Sequence, residues 1–225
     1  MQTWLLLKDS FWPLLAAGLR FTVPLAVFSF GAGLLLGFGL ALLRIFGGKP
    51  LSAAAKFFVW FFRGTPLLVQ LFIIFYGLPA VGILLDALPA AIIGFTLNVG
   101  AYSSETIRAA LRSIPKGQWE AAYSLGMSWS QSMRRIILPQ AIRVATPSLS
   151  NSFISLVKDT SLAAAITVPE MFQIAQRISA ATYEPLILYL EAAFIYLIFC
   201  SILSALQTRL ERKLDRHISS VGQQP

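Results

Sequence analysis

An all-α, polytopic membrane protein is the fold class that this sequence predicts, and three observations carry it. Of the 225 residues, 56% are hydrophobic and only 12% are charged, whereas a soluble domain carries about 25% charged residues. Five stretches are long and apolar enough to cross about 30 Å of hydrocarbon at roughly 20 residues each: 21–43, 57–78, 90–110, 142–166 and 186–206. Sorted onto these spans, fourteen of the 18 Lys and Arg residues fall on one side.

The same composition excludes several functions. The single Cys200 cannot form an intramolecular disulfide, and the single histidine, His217, lies in a polar tail at 209–225, so the usual His/Cys zinc sites cannot be built and no metal ligands are expected. A Ser-His-Asp hydrolase would need that tail folded back into a site. No G-x-x-x-x-G-K-[ST] loop is present, so the chain does not bind ATP through that motif. Membrane lipid, not nucleic acid, is the partner expected for the net charge of +8.

Taken in order, residues 4–7 form a short apolar patch, interrupted afterwards by Lys8, Asp9 and Pro13. That pattern reads as an interfacial segment leading into the first span, without the basic region of a cleavable signal. Gly33 and Gly37 in span one form a G-x-x-x-G pattern that lets helices approach closely; packing within one subunit is preferred to a dimer seam. In span two, Thr65-Pro66 matches a threonine cap and a first-turn proline. The helix is either restarted there, with 57–62 as a preceding segment, or kinked at the cytoplasmic boundary with Arg63 reaching lipid phosphates. Spans three and four are the least apolar, carrying Asn98, Tyr102 and Glu105, and Ser148, Asn151, Lys158 and Asp159, which suggests that they line something polar. In span five, Glu191 is placed to reach the outer interface and Cys200 to serve as a small apolar residue.

The fourteen basic residues are Arg44, Lys49, Lys56 and Arg63 between spans one and two, Arg108, Arg112, Lys116, Arg134, Arg135 and Arg143 around the link between three and four, and Arg209, Arg212, Lys213 and Arg216 after span five. By the positive-inside rule that side is cytoplasmic. The N-terminus is then outside and the C-terminus inside, with the link at 167–185 outside.

The cytoplasmic link at 116–139, KGQWEAAYSLGMSWSQSMRRIILP, is too polar to span. Residues 119–125 favour a helix, Gly126 is a helix stop, Ser128 caps a second helix, and Pro139 stands near its end. On composition alone, an amphipathic pair resting on lipid with Trp119, Trp129 and Met133 inserted fits equally well.

Spacing separates the two readings. Glu120-Ala121-Ala122, three residues, Gly126, nine residues, then Ile136-x-Leu138-Pro139 resembles the full EAA signature of permease subunits of bacterial ABC importers. Around it, RGTPLLVQ at 63–70 followed by YGLP, and NSF at 151–153 through VKDTSL at 157–162, resemble the subfamily that imports histidine, glutamine, arginine, opines and cystine. The run SNSFISLVKDTSLAA, with VPE soon after, is most similar to L-cystine permeases. The resemblance spans nearly the whole chain and implies one transmembrane permease domain over 1–225 in the bacterial inner membrane. It implies that Glu120, Ala121, Ala122 and Gly126 contact a separate ATPase. ATP and magnesium would belong to that ATPase, with no cofactor in this chain and no chemistry performed by it. An extracytoplasmic amino-acid-binding protein and a second permease copy are the other implied partners, a homodimer being preferred to a heterodimer. The work of the chain is then to offer two packings whose balance the ATPases bias.

For the cargo path, charged groups inside a bilayer default to functional candidates. At 1.5 Å per residue, Lys158 lies roughly 12 Å below the outer end of span four, with Asn98 and Gln70 at a similar depth. A zwitterion could use Lys158 for its carboxylate, Asn98 and Gln70 for hydrogen bonds, and Asp159 or Glu105 for its ammonium, with Thr65 and Tyr102 beside them. Competing structural roles stay open: Lys158 and Asp159 are consecutive and face different ways, and Glu105 can pair with Arg108. Rival functions are an ion-gradient transporter or channel, which would usually show more spans in an internal repeat, and a membrane-anchored assembly or sensor protein.

Overall fold

The computed structural model describes residues 2–215, and every regular element among them is helical. Arg216, His217 and the remainder of the polar tail lie outside the described residues.

The first helix is longer than the sequence suggests. α1 (Gln2–Ala17) passes through a π turn at Gly18–Thr22 into α2 (Val23–Phe46) without a break. Residues 2–20 therefore continue the first long helix and are not a separate segment leading into it. Lys8 and Asp9 do not interrupt it because they lie on its exposed side, while Ser10, Leu14 and Ala17 bury the other side. The buried side meets α9 (Met171–Thr182) and α10 (Pro185–Asp215). Ser10 donates a hydrogen bond to the Glu191 carboxylate, and Gly18 lies against Phe199, so α1 and α10 run parallel. Glu191 is only 7% exposed; held by Ser10, it does not reach the outer interface as expected.

Three prolines are accommodated in one way. Each of the three π turns, Gly18–Thr22, Ile73–Gly77 and Met133–Ile137, stands just ahead of an X-Pro pair, and the residue before proline donates its N–H back to the carbonyl of Gly18, Ile73 or Met133. Proline has no N–H, and its ring clashes with the carbonyl four residues earlier. A wide turn relieves that crowding. This is why the second helix of the 116–139 link does not end at Pro139: α7 (Trp129–Ser132) continues through its π turn into α8 (Leu138–Asp159).

The centre of the fold is α2 against α5 (Ala87–Ser113). Gly33 faces Val99, Gly37 faces Gly100 and Ser103, and Arg44 reaches Glu105, so these helices are also parallel. A Cβ at Gly37 would stand 2.9 Å from the Gly100 carbonyl oxygen, which is backbone and cannot give way. The G-x-x-x-G pattern thus serves packing inside the chain. Gly37→Val is expected to separate α2 from α5; the purified protein should melt at least 10 °C lower or fail to stay monodisperse in detergent. An unchanged melting temperature would show that the seam tolerates separation.

Span two is broken. α3 (Lys49–Gly64) and the segment from Leu67 to Val81 meet at 105°, the first six residues of the latter forming α4 (Leu67–Phe72). Lys49, Lys56 and Arg63 recur every seven residues on α3 and are exposed, beside a buried stripe containing Ala55 and Val59. The 167–185 link holds a helix of its own, α9, whose Glu170 cap is fully buried. One Glu170 oxygen accepts from the Gln173 N–H at 2.7 Å, and the other accepts from the Tyr196 hydroxyl at 2.8 Å and from Thr22 at 3.4 Å.

Two helices, Trp4–Phe46 and Pro185–Lys213, are both long and apolar enough to cross a membrane, and the bent pair at Thr65 makes a third if it crosses once. α5 and α8 contain 27 and 22 residues, lengths of roughly 40 and 33 Å by helical rise. Their polar and charged residues, some of which line a cavity between them, keep them below that hydropathy.

Candidate functional site

The cavity measures about 470 Å³ and lies where α4, α5 and α8 meet. α5 supplies Asn98 and Tyr102, four residues apart on one helical face, together with Ser103. α8 supplies Asn151, Ser155 and Asp159 at the same spacing. The break in span two supplies Thr65 and Pro66, followed by Leu67. Ser103 is 1% exposed, packs against Gly37, and its hydroxyl has no hydrogen-bond partner among the described residues.

Of the seven residues expected along a cargo path, Thr65, Asn98, Tyr102 and Asp159 line this cavity. Gln70 lies behind it, 3% exposed. Its amide donates toward the Phe62 carbonyl at 2.8 Å, the Thr65 carbonyl at 3.1 Å and the Thr65 hydroxyl at 2.8 Å, while its carbonyl accepts from Asn98 at 3.1 Å. The two amide protons are shared among three acceptors, two of them backbone carbonyls left open where α3 ends. Gln70 therefore closes the break and aims Asn98. Thr65 does not cap α4: its hydroxyl donates to the Phe61 carbonyl, and Pro66 occupies the cap position.

Lys158 does not join Asn98 and Gln70. One residue of helix turns it to the far side of α8, where it lines a separate crevice with Phe172, Tyr189, Tyr196 and Cys200. Equal depth along parallel axes did not mean a shared face. Asp159, its neighbour, takes the cavity side.

Glu105 also lies outside the cavity wall. It gathers three guanidinium groups: Arg44 of α2 and Arg63 of α3 at one oxygen, the latter at 3.6 Å, and Arg108 of its own helix at the other, at 2.6 Å. The pairing with Arg108 is thus one third of a larger cluster. Arg63 also lies over the Tyr102 ring at 5.3 Å, a cation–π distance, so the cluster adjoins the cavity. The tertiary partners Arg44 and Arg63 carried no helical spacing to Glu105 that sequence reading could use. Asn151 was legible as one of the polar residues of span four, whereas Ser155 was not singled out, and nothing in the sequence marked which neighbour they faced.

In the 116–139 link, α6 (Lys116–Ser124) is followed by Gly126 at φ +72, and Ser128 forms a capping box with Gln131. Glu120, Ala121 and Gly126 are exposed, while Ala122 is buried and turned toward the body of the chain. Trp119 and Met133 pack into a cluster with Leu111, Ile114 and Ile137 instead of entering lipid. The Phe46 ring lies 6.5 Å from Trp119 and 5.2 Å from Trp129.

The comparisons with known proteins agree with this arrangement. Residues 31–216 match the family described as binding-protein-dependent transport system inner membrane component. The L-cystine transport system permease protein TcyB of Bacillus subtilis is 52% identical over 217 residues, covering 96% of this chain and 93% of that one. The octopine transport system permease protein OccM of Rhizobium radiobacter is 43% identical over 206 residues, covering 88% and 84%. The crystal structure of an amino acid ABC transporter with histidines superimposes with a TM-score of 0.85 at 34% identity, covering 92% of this chain and 96% of that chain. A chain of the MetNI methionine ABC transporter in an inward-facing form shares the fold, with a TM-score of 0.70 at 24% identity over 93% and 96%. The chain belongs to the family of inner membrane components of binding-protein-dependent transport systems.

Proposed function

We propose that the chain is the permease subunit of an ABC importer for L-cystine, crossing the membrane five times with its N-terminus outside and its C-terminus inside. Two copies line the pore, separate ATPases hydrolyse ATP with magnesium, and an extracytoplasmic binding protein delivers the cargo. The cytoplasmic segment at 116–139 is the coupling element within one permease domain, with Glu120, Ala121 and Gly126 presented to the ATPase and Ala122 anchoring the helix beneath them.

The observation that carries the reading is the cavity between α4, α5 and α8, joined to its likeness over nearly full length to a cystine permease. Asp159 receives an ammonium group, while Asn98 and Asn151 supply hydrogen bonds. Tyr102, backed by Arg63, closes the cavity on the side of the Glu105 cluster, and Thr65 and Gln70 hold its wall. Tyr102, Asn151 and Ser155 are exposed on membrane-embedded helices, a polar face that a second copy would cover.

The test is uptake of labelled cystine into proteoliposomes holding permease, ATPase, binding protein and ATP. Unlabelled cystine should compete, and glutamine, histidine and arginine should not. Asp159→Asn should raise the half-saturating concentration at least about tenfold, as loss of a charge-assisted hydrogen bond implies, whereas Lys158→Ala should leave it unchanged. Failure of cystine to compete would remove the cargo assignment; equal effects of the two substitutions would remove the cavity assignment.

A further inference from the structure

The coupling segment is covalently joined to α5 and α8, so motion imposed on it reaches those helices directly. α2 has no such connection, yet it forms the central seam of the fold with α5. Among its contacts with the segment is the Phe46 side chain, the last residue of the helix, whose ring meets the Trp119 ring at 6.5 Å and the edge of Trp129 at 5.2 Å and 81°. Leu42 and Ile45, on the turn before it, pack on the same cluster of Leu111, Ile114 and Met133. Trp119 belongs to α6 and Trp129 opens α7, so Phe46 touches the segment on both sides of the Gly126 turn.

The contacts continue into the membrane. Arg44, two residues before Phe46, pairs with Glu105; Glu105 also holds Arg63, and Arg63 lies over Tyr102 in the cavity wall. A movement of the two tryptophans relative to the bilayer therefore meets a continuous series of packed and ion-paired groups leading to the cavity.

We propose that Phe46 is a positioning residue that makes α2 move with the coupling segment, so that ATPase motion is passed to the cavity through α2 as well as through α5 and α8. The proposal rests on the coupling role assigned above. It assigns to Phe46 no contact with ATPase or cargo.

The test uses the assembled importer in proteoliposomes, measuring ATP hydrolysis and cystine uptake together. Phe46→Ala should retain ATPase association and keep hydrolysis within about twofold, while cystine imported per ATP falls at least about tenfold. Phe46→Tyr should keep the normal ratio, since the ring and its edge contact remain. If Phe46→Ala does not fold, Trp129→Leu removes the same contact from the other side and should show the same fall. A loss of assembled complex with an unchanged ratio for the remainder would mean that the aromatic contact is only structural and would overturn the proposal. So would a normal ratio in both variants. Glu120→Lys serves as the control on the underlying reading: if it leaves ATPase association intact, the coupling assignment itself fails, whatever Phe46 does.

Discussion

The Glu120→Lys protein is expected to fold normally, yet to lose both ATPase association and ATP-driven uptake by at least about a hundredfold. Glu120 is exposed, and its carboxylate makes no hydrogen bond or ion pair among the described residues, so reversing its charge removes nothing that holds this chain together. Surface substitutions of that kind change stability by about 0.5 kcal/mol or less. A partner that meets the carboxylate with a donor, in contrast, loses a charge-assisted bond and gains a like-charge clash. Gly126→Asp should act alongside it with a second cause. The backbone there has φ +72, which costs a residue bearing a Cβ about 1–2 kcal/mol, and a carboxylate is added at the negative end of α6. Co-purification of the ATPase with either variant, together with normal uptake, would show that the coupling segment lies elsewhere.

Glu105→Gln carries the second large effect. One carboxylate lies among Arg44, Arg63 and Arg108, which come from α2, α3 and α5. Removing the negative charge leaves three cations facing one another at partly covered positions, 12%, 43% and 25% exposed. Breaking a fully buried pair costs about 3–5 kcal/mol; partial solvent access here reduces that to about 2 kcal/mol. The inner ends of α2 and α3 should loosen from α5 and release Arg63 from Tyr102. A lower melting temperature and uptake reduced at least about tenfold are expected in the reconstituted importer. A variant matching wild type in both would mean that the cluster is a solvated surface pairing.

What could be read without coordinates followed from patterns that are local in sequence. The apolar stretches, the small-residue seam at Gly33 and Gly37, the glycine turn at 126 and the Ser128 cap each depend on residues within a turn or two of one another, and each is present in the structure. An interruption at Thr65-Pro66 was legible for the same reason, but not whether it was a break or a kink. What failed depended on rotation between helices. Lys158 and Asn98 were matched by depth, but depth leaves the angle around the axis free, and Lys158 faces the Tyr196 crevice. Glu191 was read toward solvent because Ser10, its partner, is 181 positions away. Asn98, Tyr102, Asn151 and Asp159 were picked out on α5 and α8, whereas Ser103 is chemically ordinary and became visible only as a buried hydroxyl without a partner.

The π turn at Met133–Ile137 ties the link at 116–139 to the cavity in a way that concerns chain length more than chemistry. It is in effect one residue more than an α-helix needs, lodged just ahead of Leu138-Pro139. Such a turn absorbs its extra residue locally and keeps the helical register on either side of it. Removing one residue from 133–137 would therefore regularise the turn and leave Asn151, Ser155 and Asp159 on the cavity. Removing one from the regular helix between Pro139 and Asn151 would instead turn all three by about 100° relative to α6. Within this family, one-residue alignment gaps should therefore be found at 133–137 and not between Pro139 and Asn151, even though neither stretch contributes a side chain to the cavity.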